Sequence, residues 1–176
     1  MNGNQRTRIL VEAGVLIALA TVLSFLKVYR APQGGSVTAA SMVPIIMLAL
    51  RWGPRAGILT GVAYGLVQQM IDPFVVHPVQ MLLDYSVAFG LLGLAGLFRR
   101  MPALGASVGV LGRMVSHVVS GVVFFGAYAP EGSSVLAYSL VYNASYLVPE
   151  VIISAVVIQM LATSKVLTWG IQRARH

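Results

Sequence analysis

The feature that most constrains this chain is a succession of long apolar runs with very little charge inside them. The runs at about Thr7–Phe25, Val79–Leu97, Ala106–Ala127 and Tyr138–Leu167 are each long enough to cross ~30 Å of hydrocarbon as a helix rising about 1.5 Å per residue. Two shorter runs, about Thr38–Leu50 and Ala56–Met70, lie between the first and second of these. Short helices of this kind in a membrane protein leave room for a binding site. The separators are rich in turn formers: Lys27–Ser36 with Pro32, Gly34 and Gly35, Arg51–Arg55 (RWGPR), Asp72–Pro78 (DPFVVHP) and Tyr128–Ser134 (YAPEGSS). All of them read as loops or turns. The pattern predicts an all-α membrane protein of six transmembrane helices, forming a single integral-membrane domain over residues 1–176.

Composition supports that reading by exclusion. Only 10% of the 176 residues are charged and 57% are hydrophobic, whereas a soluble domain carries roughly 25% charged residues. A soluble fold could not cover its surface with so few charges, which excludes an ordinary soluble enzyme, a disordered chain and a nucleic-acid binder. There is no cysteine, so disulfides, iron–sulfur clusters and thiol catalysis are excluded. His77, His117 and His176 are widely spaced, and neither a metal site nor a cofactor is expected. No Walker A motif is present, so the chain cannot hydrolyse ATP by itself.

The net charge of +7 is a topology signal. With the N-terminus cytoplasmic, the inner segments carry Arg6, Arg8, Arg51, Arg55, Arg99, Arg100, Lys165, Arg173 and Arg175. The outer loops carry Lys27 and Arg30, and Arg113 lies within a span. This asymmetry predicts both termini on the cytoplasmic side of a prokaryotic plasma membrane. Glu12, inside the first run, argues against a cleaved signal peptide.

Charged groups within a span cost ~2.5–3.5 kcal/mol each on insertion, so those present deserve a function. Glu12 lies near the inner end of its helix and can reach the interface. Asp84 has a stem too short to snorkel, which points to a paired or ligand-facing carboxylate, with Tyr85 beside it. Arg113, His117, Gly121 and Phe125 recur every four residues on one face of the fifth helix, and Gly121 leaves space between the imidazole and the ring. On the sixth, Tyr138, Tyr142, Tyr146 and Glu150 are four apart, with Asn143 on the same broad arc and Pro149 as a kink point. Carboxylates, an amide and aromatic rings at membrane depth suit a small cationic aromatic ligand, through charge pairing, cation–π contact and hydrogen bonds to ring nitrogens. Gly57, Gly61 and Gly65 give the third helix a smooth face for packing within the molecule. Gly14 and Ala18 give the first helix a small-residue face of the same spacing.

The stretches Pro32–Val37 (PQGGSV), His77–Tyr85 (HPVQMLLDY), His117–Gly126 (HVVSGVVFFG), Tyr128–Gly132 (YAPEG) and Tyr138–Glu150 (YSLVYNASYLVPE) resemble the thiamine-specific substrate-binding (S) component of energy-coupling factor vitamin transporters. The resemblance runs through nearly the whole chain in order. It implies a thiamine pocket near the outer face, between helices 4 to 6, capped by the loop between helices 1 and 2. It places Asp84, where some members have Glu, against the thiazolium, with Tyr85 as its neighbour. It places His117, Gly121 and Phe125 in the pocket, Phe125 at a position that is Trp in some members. Tyr138 and Asn143 fall on the ligand, Tyr64 at another pocket aromatic and Arg113 at a basic position near the hydroxyethyl end. The Gly14/Ala18 face is similar to the surface that docks the shared transmembrane coupling subunit. The implied partners are therefore thiamine, that subunit, two ATPase subunits and the lipid bilayer. The chain itself would be a binding subunit and not an enzyme.

Three other readings remain open on the sequence: an S component for another vitamin, a stand-alone carrier, and a membrane hydrolase pairing Ser116 or Ser120 with His117. The last lacks a nucleophile-elbow motif.

Overall fold

The structure is a computed structural model that describes residues 3–32 and 34–164. Among the described residues six helical rods follow one another: α1 (Gly3–Ser24), α2 (Val43–Trp52), α3 (Pro54–Ile71), α4 (Pro78–Phe98), α5 (Pro102–Phe124) and α6 (Val135–Thr163). Four of them, α1, α4, α5 and α6, are long and apolar enough to cross a membrane. Pro44, Pro54, Pro78 and Pro102 all stand in the first turn of a helix. There the missing N–H is an orphan anyway and the fixed φ suits the helix. Pro54 and Pro78, which stand in segments that read as separators in the sequence, therefore act as helix starts. The expected end of the sixth helix at Leu167, with Lys165, Arg173 and Arg175, lies outside the described residues.

The segment Lys27–Ser36 departs from the expected loop. β1 (Lys27–Arg30) and β2 (Ser36–Thr38) pair antiparallel, with Lys27 opposite Thr38 and Arg30 opposite Ser36. Such short strands carry no clear alternation, and all four residues of β1 are exposed, so their pairing leaves no periodic signature. The hairpin turns at Gly34, whose φ of +94° favours glycine.

α2 is the centre of the core. Seven of its ten residues are buried, including Ile45, Ile46, Leu48 and Ala49. A helix apolar all round is buried on all sides, which explains why a run too short to span is nonetheless so hydrophobic. Its C-terminal carbonyls are taken by Arg99, which donates from Nε to Leu50 O (2.9 Å) and from Nη2 to Arg51 O (2.6 Å). Glu12 of α1 pairs with Arg51 (2.7 Å) and accepts from Trp52 Nε1 (3.0 Å), so it is bonded to α2 rather than merely reaching the interface. α1 buries only Leu16, Ala20 and Ser24. Gly14 and Ala18 are both exposed, and Gly14 has open space around it.

α3 and α4 meet glycine to backbone. A Cβ on Gly61 would lie 2.1 Å from Phe89 O, on Gly65 2.6 Å from Tyr85 O, and on Gly93 2.2 Å from Ile58 N. The glycine face of α3 thus packs within the molecule, as its spacing predicts. α4 itself is not uniform. It widens to a π-helix over Leu82–Val87 and tightens to 3-10 geometry over Leu92–Phe98.

Candidate functional site

The π-turn of α4 is where the site begins. Consecutive residues of an α-helix diverge by about 100°, and a π-turn changes that register locally, often at functional positions. Here Asp84 and Tyr85 both line one cavity. The Leu83 carbonyl inside the π-turn accepts a hydrogen bond from Ser116 Oγ of α5 at 2.7 Å. The Tyr85 hydroxyl donates to Asp72 O (2.8 Å) and accepts from Phe74 N (2.7 Å), tying the α3–α4 connection to α4.

Asp84 is both paired and cavity-facing. Its Oδ2 accepts from Gln80 Nε2 (2.7 Å) and Ser120 Oγ (3.0 Å), and its Oδ1 lies 3.0 Å from His117 Nδ1. The proton on His117 can be placed by elimination. Arg113 Nε is only a donor, and it lies 3.1 Å from His117 Nε2, which must therefore accept. Nδ1 then carries the proton and donates it to Asp84. The imidazole in this arrangement is neutral, so the Asp84 carboxylate receives hydrogen bonds from its partners but no neutralising charge from them. The Arg113 charge is held elsewhere, 4.2 Å above the Phe89 ring and with Nη1 donating to Met42 Sδ at 3.0 Å.

α6 supplies the facing wall. Asn143 Nδ2 donates to Ser139 O at 2.9 Å, and its Oδ1 accepts from the Tyr146 hydroxyl. Tyr138 stacks on Tyr142 (centroids 6.2 Å, 23°), and Tyr146 meets His117 edge to face (6.2 Å, 76°). Gly121 lets this wall approach α5, since a Cβ there would stand 2.2 Å from Ser139 Oγ. Phe125, at the end of α5, stacks on Phe74 (6.0 Å, 23°). Tyr64 is fully buried in the α3 wall, its hydroxyl bonded to Ala20 O and Gln68.

The nine side chains or backbone positions expected at the ligand (Tyr64, Asp84, Tyr85, Arg113, His117, Gly121, Phe125, Tyr138 and Asn143) are thus gathered around one space of ≈ 1060 Å³, its open mouth included. The hairpin forms a further wall through Lys27, Gly34, Gly35 and Thr38. Gly35 sits directly on Tyr146, where a Cβ would come within 2.4 Å of the ring. Sequence reasoning did not single out Gln80 or Thr38, and it considered Ser120 only as a hydrolase nucleophile. Gln80 could have been found as the residue one turn before Asp84. Ser116 and Ser120 donate their hydroxyls to Leu83 O and Asp84, and His117 is engaged with Arg113 and Asp84, so the serine–histidine pairing of a hydrolase is not formed.

The hairpin is latched at the rim. Lys27 and Arg30 both pair with Asp72 at the end of α3. The hydrogen bond from Lys27, then the two positive charges, hold the Asp72 carboxyl below its ordinary value of 3.8. A depressed carboxylate contributes stability that is present above the unfolded pKa and lost as pH falls through the folded one. The latch should hold at neutral pH and release only as pH falls below the ordinary carboxylate value of 3.8. Exposed pairs are worth under about 1 kcal/mol, so the expected readout is local. Asp72→Asn at pH 7 should speed amide hydrogen exchange in residues 27–38 by about threefold to fivefold without shifting exchange in α2. Unchanged exchange in the hairpin would refute the latch.

Comparison with known proteins places the chain as follows. The sequence profile of the family described as thiamine transporter protein (Thia_YuaJ) matches residues 10–168. A Bacillus subtilis (strain 168) protein named thiamine transporter ThiT is 41% identical over 180 aligned positions, covering 92% of this chain and 93% of its own. A protein of the same name from Lacticaseibacillus paracasei is 27% identical, covering 93% and 90%. A solved structure of ThiT from Listeria monocytogenes, 27% identical, superposes with a TM-score of 0.82 over 93% of this chain and 98% of its own.

Proposed function

The chain belongs to the thiamine transporter protein family, and from that premise we propose that it is the thiamine-binding membrane subunit of an energy-coupling factor transporter. Its named relatives are transporters and not enzymes, and its apolar helices make it a multi-pass membrane protein. The observation that carries the reading is the Asp84 carboxylate, hydrogen-bonded by neutral partners and set among aromatic rings. Thiamine is a permanent aromatic cation. In a low-dielectric cavity a carboxylate with no protein counter-charge attracts such a cation far more strongly than in water. Phe125 stacks on the ligand, Tyr138 and Asn143 contact it from α6, and Arg113 lies toward the hydroxyethyl end.

In this scheme residues 1–176 form one membrane domain with both termini cytoplasmic and the cavity near the outer face. The α1–α2 hairpin opens to admit thiamine and closes over it. The loaded subunit then docks through the Gly14/Ala18 face of α1 on a transmembrane coupling subunit carrying two ATPases. It reorients and releases the vitamin inside, and ATP hydrolysis resets the complex.

Calorimetric titration of the purified protein against the B vitamins tests the ligand. Thiamine alone should bind tightly, and binding of a neutral vitamin in its place overturns the reading. Uptake into vesicles tests the coupling. It should require the coupling subunit, the ATPases and ATP, and uptake by this chain alone points instead to a stand-alone carrier. Gly14 has open space around it, so Gly14→Leu should leave thiamine affinity within about twofold while lowering coupled uptake by about tenfold or more. Equal loss of both, or of neither, refutes the docking face.

A further inference from the structure

Glu150 is 1% exposed, sits one residue after Pro149 in α6 and lines the cavity. Its Oε1 accepts two hydrogen bonds from one residue of the hairpin, Thr38 N (2.6 Å) and Thr38 Oγ1 (2.7 Å). Its Oε2 is buried with no hydrogen-bond partner among the described residues. Buried polar atoms are nearly always paired, and a buried carboxylate oxygen left without a donor is costly. The bonds of Oε1 fix which oxygen stays free, because both Thr38 groups need an acceptor. Arg113 belongs to the same neighbourhood. It bonds to Met42 Sδ, and Ser41, the residue before Met42, bonds to Thr38 Oγ1 beside Glu150 Oε1. A cavity lined by both an unpaired acceptor and a guanidinium donor matches a hydroxyl, which both donates and accepts.

We propose that Glu150 Oε2 accepts a hydrogen bond from the ligand's hydroxyl while Arg113 faces the same hydroxyl oxygen, and that this pairing selects the free alcohol over its phosphate ester. The proposal rests on the thiamine reading above and adds a contact residue to it. A phosphate ester has no O–H at that position for Oε2 to accept, and it brings like charge toward a buried carboxylate. A site built around a substrate hydroxyl discriminates through the group left unpaired when the hydroxyl is missing. Because Oε1 is shared with the hairpin, seating the hydroxyl on Oε2 also steadies the carboxylate that holds Thr38.

The test is fluorescence titration of the full-length protein and its Glu150→Gln variant with four probes: thiamine, its dehydroxy analogue, thiamine monophosphate and oxythiamine, whose amino group is replaced by a keto oxygen. The Gln carbonyl must face the two Thr38 donors, which puts an NH₂ where Oε2 stood. Glu150→Gln should weaken thiamine binding about 10-fold to 100-fold, the value of a charge-assisted hydrogen bond. It should leave the dehydroxy analogue within about twofold and raise the affinity of the monophosphate relative to thiamine. Equal weakening of thiamine and the dehydroxy analogue overturns the proposal, as does a loss that follows the amino group instead. If Glu150→Gln does not fold, the unmodified protein decides. It must bind the dehydroxy analogue at least about tenfold more weakly than thiamine, and equal affinities overturn the role of Glu150. Absence of thiamine binding by the unmodified protein overturns the transporter reading and this proposal with it, whereas thiamine binding indifferent to the hydroxyl overturns only the role of Glu150.

Discussion

Asp84→Asn should weaken thiamine binding by at least about 100-fold, roughly 3 kcal/mol, with the fold retained. The substitution removes a cavity carboxylate whose hydrogen-bond partners Gln80, His117 and Ser120 are all neutral and which lies among the aromatic rings. It also disturbs the array around it. Gln80 Nε2, Ser120 Oγ and His117 Nδ1 converge on the two oxygens as donors. An amide can accept on one side only, so at least one donor must turn away. The expected signature is a large loss of affinity for the cation and a smaller loss for a neutral isostere of thiamine. Calorimetry on both ligands separates charge pairing from disruption of the array. Equal losses for the two would show that Asp84 organises the cavity without pairing the ligand's charge.

Much of this arrangement was legible because helices are periodic. A spacing of four put Arg113, His117, Gly121 and Phe125 on one face of α5, and the structure brings all of them to the same cavity. The same arithmetic gathered the tyrosines and Asn143 on α6. The glycine repeat of α3 foretold its close packing, because nothing but a small residue permits backbones to touch. What escaped the sequence depends on contacts between distant segments. The π-turn that presents Asp84 and Tyr85 together has no propensity signature and is bonded across to Ser116. Gln80 and Ser120 are ordinary neutral residues until Asp84 is placed between them. Glu150 stood out as a charge at depth, but its partner Thr38 lies 112 residues away on a hairpin too short to show alternation.

The glycine contacts between α3 and α4 set the second large expectation. Gly61→Ala should destabilise the protein by about 2–3 kcal/mol or more, because the new Cβ would stand 2.1 Å from the Phe89 carbonyl oxygen and 2.8 Å from its carbon. Backbone cannot rotate away as a side-chain tip does, so the helices must separate along the whole seam. Gly93→Ala, which meets Ile58 N at 2.2 Å from the other side, should cost a similar amount. Gly14→Ala, with nothing within 4 Å, should be neutral or slightly stabilising, since alanine is the better helix former. Thermal unfolding of detergent-purified protein followed by fluorescence measures all three. A Gly61→Ala protein that melts with the unmodified one would mean that the seam is looser than its geometry. The seam also bears on binding, because Gly65 lies 2.6 Å, measured from its virtual Cβ, from the Tyr85 carbonyl inside the π-turn. Gly65→Ala should therefore displace Asp84 and Tyr85 and weaken thiamine by about tenfold beyond what lost stability explains. Gly93→Ala, farther along α4, should leave the affinity of the surviving folded protein nearly unchanged. The ratio of these two effects distinguishes a seam that only holds the helices together from one that also sets the geometry of the site.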